Sequence, residues 1–201
     1  MGRKSLSRQR KAITPRTKVW LGDLLLSLQQ EQLDDLTMDD LARLAGKSKS
    51  TIYEYFETKE DVLVAVCQLR VDELSTSIFG LEKEAFTTVE LYARLIEIFA
   101  KGTTGISISF LQSIKQSYPK SWEMIDGFMN GFVDLLKEHY KVGIEEGIYT
   151  PVSVDLLGSI DKLFVEQVVT NRTLFTDEMY TVSNLVTDYL SLRLNGLLLR
   201  T

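Results

Sequence analysis

Residues 37–56 read TMDDLARLAGKSKSTIYEYF, and the spacing of their apolar side chains divides them into two short helices across a turn. Met38, Leu41, Ala42 and Ala45 recur at three and four positions, the repeat of one buried helical face. Thr37, with Asp40 three residues on, is a short-armed capping box and predicts where that helix starts. Gly46 can take the left-handed conformation that ends it, and Ser48 or Ser50 can cap the next helix, whose inward residues are Ile52 and Phe56. Lys47, Lys49, Ser50, Thr51, Tyr53 and Tyr55 then face outward, and all are donors suited to phosphates and base edges. A short helix, a tight turn and a second helix with a polar outer face match the helix-turn-helix design, in which the second helix reads a major groove. Helical hairpins that never touch DNA share this outline, so a helical protein-interaction module stands beside the DNA-binding reading.

The flanks favour DNA. Arg3, Lys4, Arg8, Arg10, Lys11, Arg16 and Lys18 all precede the first acid, Asp23, and such a basic arm can track phosphates or enter a minor groove; a solvated tail is the plainer reading. Residues 1–61 carry 11 Lys and Arg against 10 Asp and Glu, whereas the remainder is net acidic and brings the whole chain to −5. Thr14 as cap and Pro15 at the first helical position predict a first helix with Val19, Trp20, Leu24, Leu25 and Leu28 inward. A long helix follows from Lys59 to about Ser75, with Val62, Leu63, Val66, Leu69 and Val71 at helical spacing.

The rest of the chain continues in helical periods, and the fold expected is all-α with about nine helices. Further helices are expected over 88–101, 106–117, 121–146, 153–171 and 177–198, with breaks at Gly102 to Gly105, Tyr118-Pro119, Gly147 to Pro151 and Asn171 to Thr176. The helix over 121–146 carries a wide apolar stripe that includes Trp122, Phe128, Phe132, Leu135 and Tyr140, enough to meet more than one neighbour. Two units follow: residues 1–62 as basic arm and DNA-binding headpiece, and 63–201 as helical regulatory and dimerisation body.

Several function classes drop out. With one cysteine, Cys67, and one histidine, His139, the 201 residues offer neither an internal disulfide nor the common zinc sites, so no metal is expected. There is no phosphate-binding G-x-x-x-x-G-K-[ST] run and no evident nucleophile-base pair, which argues against an enzyme with a cofactor. No apolar run approaches the roughly 20 residues of a membrane span, and a cytoplasmic location is expected.

Residues 41–63, LARLAGKSKSTIYEYFETKEDVL, closely resemble the signature of the TetR family of bacterial repressors. The shared pattern is an alanine-rich helix, Gly46, a polar turn, the aromatic pair Tyr55-Phe56, and Thr58-Lys59-Glu60 before a long helix. Gln32, Leu36 and Lys47 depart from it, standing where the family commonly has Gly, a small polar residue and an apolar residue. The resemblance implies that Tyr53, Lys59 and Thr37 contact phosphates, and assigns base reading to Lys47, Lys49, Ser50 and Thr51. It also implies a homodimer on a palindromic operator, with the last two helices forming the interface. Leu156, Ile160, Leu163, Val182, Val186 and Tyr189 are the residues expected there. A small hydrophobic effector is expected among Phe99, Phe110, Trp122, Phe128, Phe132 and Phe164, although such a stripe is also ordinary core. Gln112, Gln116, Asn130, His139, Asp161 and Gln167 are polar groups able to orient it.

Overall fold

Thr14 accepts a hydrogen bond from the Thr17 backbone N–H, and Pro15 takes the first helical position, where no N–H is needed; α1 (Pro15–Ser27) begins there. The computed structural model describes residues 10–81, 85–171 and 180–199, and the structure within them is helical, without strands. Thr17, Trp20, Leu21, Leu24 and Leu25 are the buried residues of α1. The stripe therefore passes beside Val19, which is 67% exposed and not part of the core as expected.

Two short 3-10 turns, Leu28–Gln30 and Leu33–Asp35, lead into α2 (Met38–Leu44), α3 (Lys49–Tyr55) and α4 (Lys59–Gly80). Thr37 and Asp40 form the capping box of α2, and Thr58 with Asp61 repeats the device at α4. The fourth helix runs five residues past the expected end at Ser75. Ser75, Thr76 and Ser77 are poor helix formers, but Leu74 and Ile78 lie four apart and both pack inward, so tertiary burial carries the helix on.

The body comprises α5 (Thr88–Gly102), α6 (Ile108–Ser117), α7 (Pro119–Glu145), α8 (Val154–Thr170) and α9 (Val182–Leu197), making nine α-helices among the described residues. Ser107 caps α6, and Pro119 opens α7 from within its first turn, which moves both starts two residues from their expected places. The last helix starts at Val182 behind the Thr181 cap; residues 172–179, which include its expected start at 177, lie outside the described residues. The central helix, α7, packs against α4, α5, α6 and α8, while Leu135 of its expected stripe is partly exposed.

One buried cluster runs without a break from Trp20, Leu41, Ile52 and Phe56 in the headpiece through α4 to Phe110 and Ile114 in α6 and Tyr118 just after it. A second, holding Tyr92, Phe99, Phe132, Leu136 and Tyr140, lies among α5, α7, α8 and α9. At its edge the buried Asp161 carboxylate accepts hydrogen bonds from Tyr140 (2.9 Å), from Tyr189 and from the Arg193 guanidinium (2.7 Å), tying α7, α8 and α9 together. Among the described residues no helix is long and apolar enough to cross a membrane.

Candidate nucleic-acid interface and interior cavity

The turn before α3 is built by backbone hydrogen bonds. Gly46 has φ of 61°, and its N–H and that of Lys47 reach back to the carbonyls of Arg43 (3.1 Å) and Ala42 (2.9 Å), closing α2 in a Schellman motif. Ser48 then caps α3, accepting from the Thr51 N–H at 3.1 Å; its hydroxyl also lies 2.9 Å from that of Ser50 and 2.8 Å from that of Thr51. Lys49 and Ser50 are exposed, and Lys47, Thr51 and Tyr53 are half-buried. Lys49 reaches across to Asp39 of α2 at 2.7 Å, and that hydrogen bond raises its pKa.

Thr37, Tyr55 and Lys59, also among the expected DNA contacts, are likewise engaged within the chain. Thr37 exchanges hydrogen bonds with Asp40 in its capping box. Tyr55 is not simply outward: its ring meets Trp20 edge-on at 6.1 Å and lies beside Phe56. Lys59 does not project freely into solvent. Its ammonium donates to the carbonyls of Leu33 (2.8 Å) and Asp34 (3.0 Å) in the second 3-10 turn, and lies over the Tyr118 ring. The Tyr118 hydroxyl donates to the same Leu33 carbonyl at 3.0 Å, and the Lys120 backbone N–H donates to Glu60 at 3.0 Å. Lys59 thus sits where the headpiece, the start of α4 and the α6–α7 corner meet.

The basic arm is partly docked. Arg10 donates to the Tyr53 carbonyl and pairs with Glu57 at 3.4 Å, while Lys11 pairs with Glu54 at 2.8 Å and its N–H bonds the Glu54 carbonyl. Positive charge at the carboxyl end of α3 suits the helix dipole. Arg3, Lys4 and Arg8 lie outside the described residues.

Five of the six aromatics expected around an effector, Phe99, Phe110, Trp122, Phe128 and Phe164, line one interior cavity of about 120 Å³, together with residues of α1, α4 and α9. Phe132 does not: it lies against Phe99 with ring centroids 3.8 Å apart, inside the second core. The polar candidates do not converge. Gln112 donates to the Val168 carbonyl at 3.2 Å, Asn130 to Asp126 at 2.8 Å, and Asp161 belongs to the α7–α9 cluster. His139 is buried with Nε2 2.8 Å from the Tyr149 hydroxyl, and burial lowers its pKa to about 4, leaving it neutral at pH 7. Arg70 also lines the cavity, a residue sequence reasoning passed over; its spacing of three from Cys67 and four from Leu74, both buried, places it on the inner side of α4.

The residues expected between subunits divide. Leu156 (54%), Ile160 (38%) and Leu163 (57%) form an exposed apolar stripe along α8. Val182 and Val186 instead line the interior cavity, and the Tyr189 ring stacks on Phe164 at 3.9 Å, so these three belong to the core of their own chain. Leu192, which the sequence reading did not single out, is 73% exposed on α9.

Comparisons with known proteins agree with this geometry. The family model for bacterial regulatory proteins of the tetR family matches residues 27–66, which span both headpiece helices and the start of α4. The chain is 26% identical over 94 residues to YvaF of Bacillus subtilis (strain 168), an uncharacterized HTH-type transcriptional regulator, covering 46% of this chain and only about half (50%) of that protein. The fold is similar to that of the fatty acid degradation regulator FadR from Bacillus halodurans, with a TM-score of 0.65 and 24% identity over 92% of this chain and 97% of the other. It is also similar to FadR from Bacillus subtilis in complex with stearoyl-CoA, with a TM-score of 0.61 and 23% identity over 89% of this chain and 98% of the other.

Proposed function

Since this chain belongs to the TetR family of bacterial regulatory proteins, we propose that it is a transcriptional repressor that binds a palindromic operator as a homodimer and releases it when a small hydrophobic effector occupies the body. The observation that carries this reading is the headpiece: a family-matched pair of helices in which a capped α3 presents Lys49, Ser50 and Thr51 beside Lys47. Residues 1–62 then serve as the reading unit and 63–201 as the regulatory one. The exposed stripe Leu156, Ile160 and Leu163 is the surface offered to a second copy. Two copies related by a two-fold axis place two reading helices on half-sites about 34–36 Å apart.

A related protein of the same fold was solved with an acyl thioester, and the apolar cavity here gives an effector room beside α4. An effector that fits one spacing of the two headpieces better than another shifts the population away from the DNA-bound form, and relief of repression follows. On this reading the protein is a cytoplasmic regulator without enzymatic activity.

The test is a mobility shift with DNA from upstream of the protein's own coding sequence and with fragmented genomic DNA. The expected result is a salt-dependent shift that Tyr53→Ala and Lys47→Ala weaken without loss of helicity. Both substitutions spare the junction that Lys59 holds. No shift on any fragment would favour the protein-interaction module.

A further inference from the structure

The reading helix α3 ends without a cap of its own. It spans only seven residues, Lys49–Tyr55, has no basic residue in its last turn, and passes into Phe56 in an extended conformation (φ −128°, ψ 145°). Its last backbone bond runs from the Phe56 N–H to the Ile52 carbonyl, so the carbonyls of Tyr53 and Glu54 need partners from elsewhere. Two donors 43 residues earlier in the chain supply them. The Arg10 guanidinium donates to the Tyr53 carbonyl, and the Lys11 backbone N–H donates to the Glu54 carbonyl at 2.9 Å. The side chains reinforce the joint: the Lys11 ammonium lies 2.8 Å from the Glu54 carboxylate, and the Arg10 guanidinium 3.4 Å from that of Glu57. Two carboxylates beside the negative end of a helix dipole work against the helix, and the two cations facing them offset that. A helix this short depends on tertiary partners, because isolated helices below about 12 residues are marginal in water.

We infer that Arg10 and Lys11 are positioning residues for operator reading: they form an external cap that holds the carboxyl end of α3, and they act on DNA through that helix rather than by touching a phosphate. The inference rests on reading α3 as the helix that enters the major groove. With the cap in place, Lys49, Ser50 and Thr51 keep one orientation toward base edges. Without it the carboxyl end of α3 frays, and the loss falls on sequence recognition more than on general attraction to DNA.

Hydrogen exchange of the full-length protein, resolved amide by amide, and binding to two duplexes test this. One duplex is a genomic fragment that the wild type shifts; the other has an unrelated sequence. In Arg10→Ala with Lys11→Ala, the Tyr55 and Phe56 amides should exchange about fivefold faster or more, with those of α2 unchanged. Affinity for the fragment should fall about tenfold, while affinity for the unrelated duplex and the salt slope stay as in the wild type. Loss of two phosphate contacts would instead weaken both duplexes alike and reduce the slope by about 2, and that result overturns the inference. Lys11→Glu should lose the protection of α3, and adding Glu54→Lys should restore it, since the pair is rebuilt with its charges exchanged. Lys11→Met and Arg10→Gln, taken singly, carry the comparison if the double variant melts early. Unchanged exchange in α3 overturns the cap, and that measurement needs no DNA. If the wild type shifts no fragment, the operator reading falls and takes the role of Arg10 and Lys11 in DNA binding with it, whereas the exchange data still decide the cap.

Discussion

Asp39 holds the Lys49 ammonium at 2.7 Å on the face where α3 would approach a phosphate, so DNA binding must exchange one anionic partner for another. Exposed pairs of this kind are weak, because water and salt screen them. Asp39→Asn should therefore raise operator affinity up to roughly fivefold and make the dependence on salt steeper; an unchanged affinity would remove Lys49 from the interface. His139 supplies a pH signature. Desolvation lowers its folded pKa to about 4, below the ordinary value near 6.5, so between these pH values the unfolded chain binds more protons and stability falls as pH falls. The contribution is intact above the unfolded value and diminishes by about 2 kcal/mol at pH 5. Urea melts of the wild type and His139→Gln at pH 7 and pH 5 should differ by that much in their pH dependence, and parallel behaviour would mean a normally titrating histidine. At this scale the sequence was legible where chemistry is local, as in Thr37 with Asp40 or Ser48 capping α3. It was not legible for Lys59, whose partners Leu33, Asp34 and Tyr118 come from two other segments.

Among the elements, helix ends separate backbone conformation from available space. A Cβ on Gly46 would meet nothing within 4 Å, yet its φ of 61° is unfavourable for any residue with a side chain; Gly80, at the end of α4, has equally open space and no such constraint. Gly46→Ala should cost about 1–2 kcal/mol and weaken operator binding by loosening the turn under α3, while Gly80→Ala should be neutral or stabilise by up to about 1 kcal/mol. Thermal melts of the two variants check the contrast, and similar losses in both would mean that space rather than φ sets the cost. Most helices and caps could be read from the sequence because periodicity and capping act over four residues or fewer. The length of α4 could not: Ser75 to Ser77 argue locally for a stop, and only the packing of Leu74 and Ile78 overrides them. Asp161 shows the same limit. It was read as a possible ligand-orienting group, whereas Tyr140, Tyr189 and Arg193 from two other helices hold it in a buried cluster.

For the whole molecule, the exposed stripe on α8 carries the consequence that matters. Leu156→Glu with Leu163→Glu should leave helicity intact, yield a monomer by sedimentation velocity, and weaken operator binding at least tenfold, because one reading helix then binds without its mate. A dimer that persists would place the interface elsewhere. By itself the sequence determined the all-helical class, the turn at Gly46, the helix-turn-helix outline and the resemblance to the TetR family, because each is encoded in residues a few positions apart. Tertiary structure alone decided that Val182, Val186 and Tyr189 turn inward while Leu156 and Leu163 remain outside, since a helix apolar on two sides does not declare which side meets its own chain. It likewise decided that five aromatics from four helices enclose a cavity while Phe132 does not, and that Arg70 joins them. Convergence in space depends on how helices cross, and no local pattern records it.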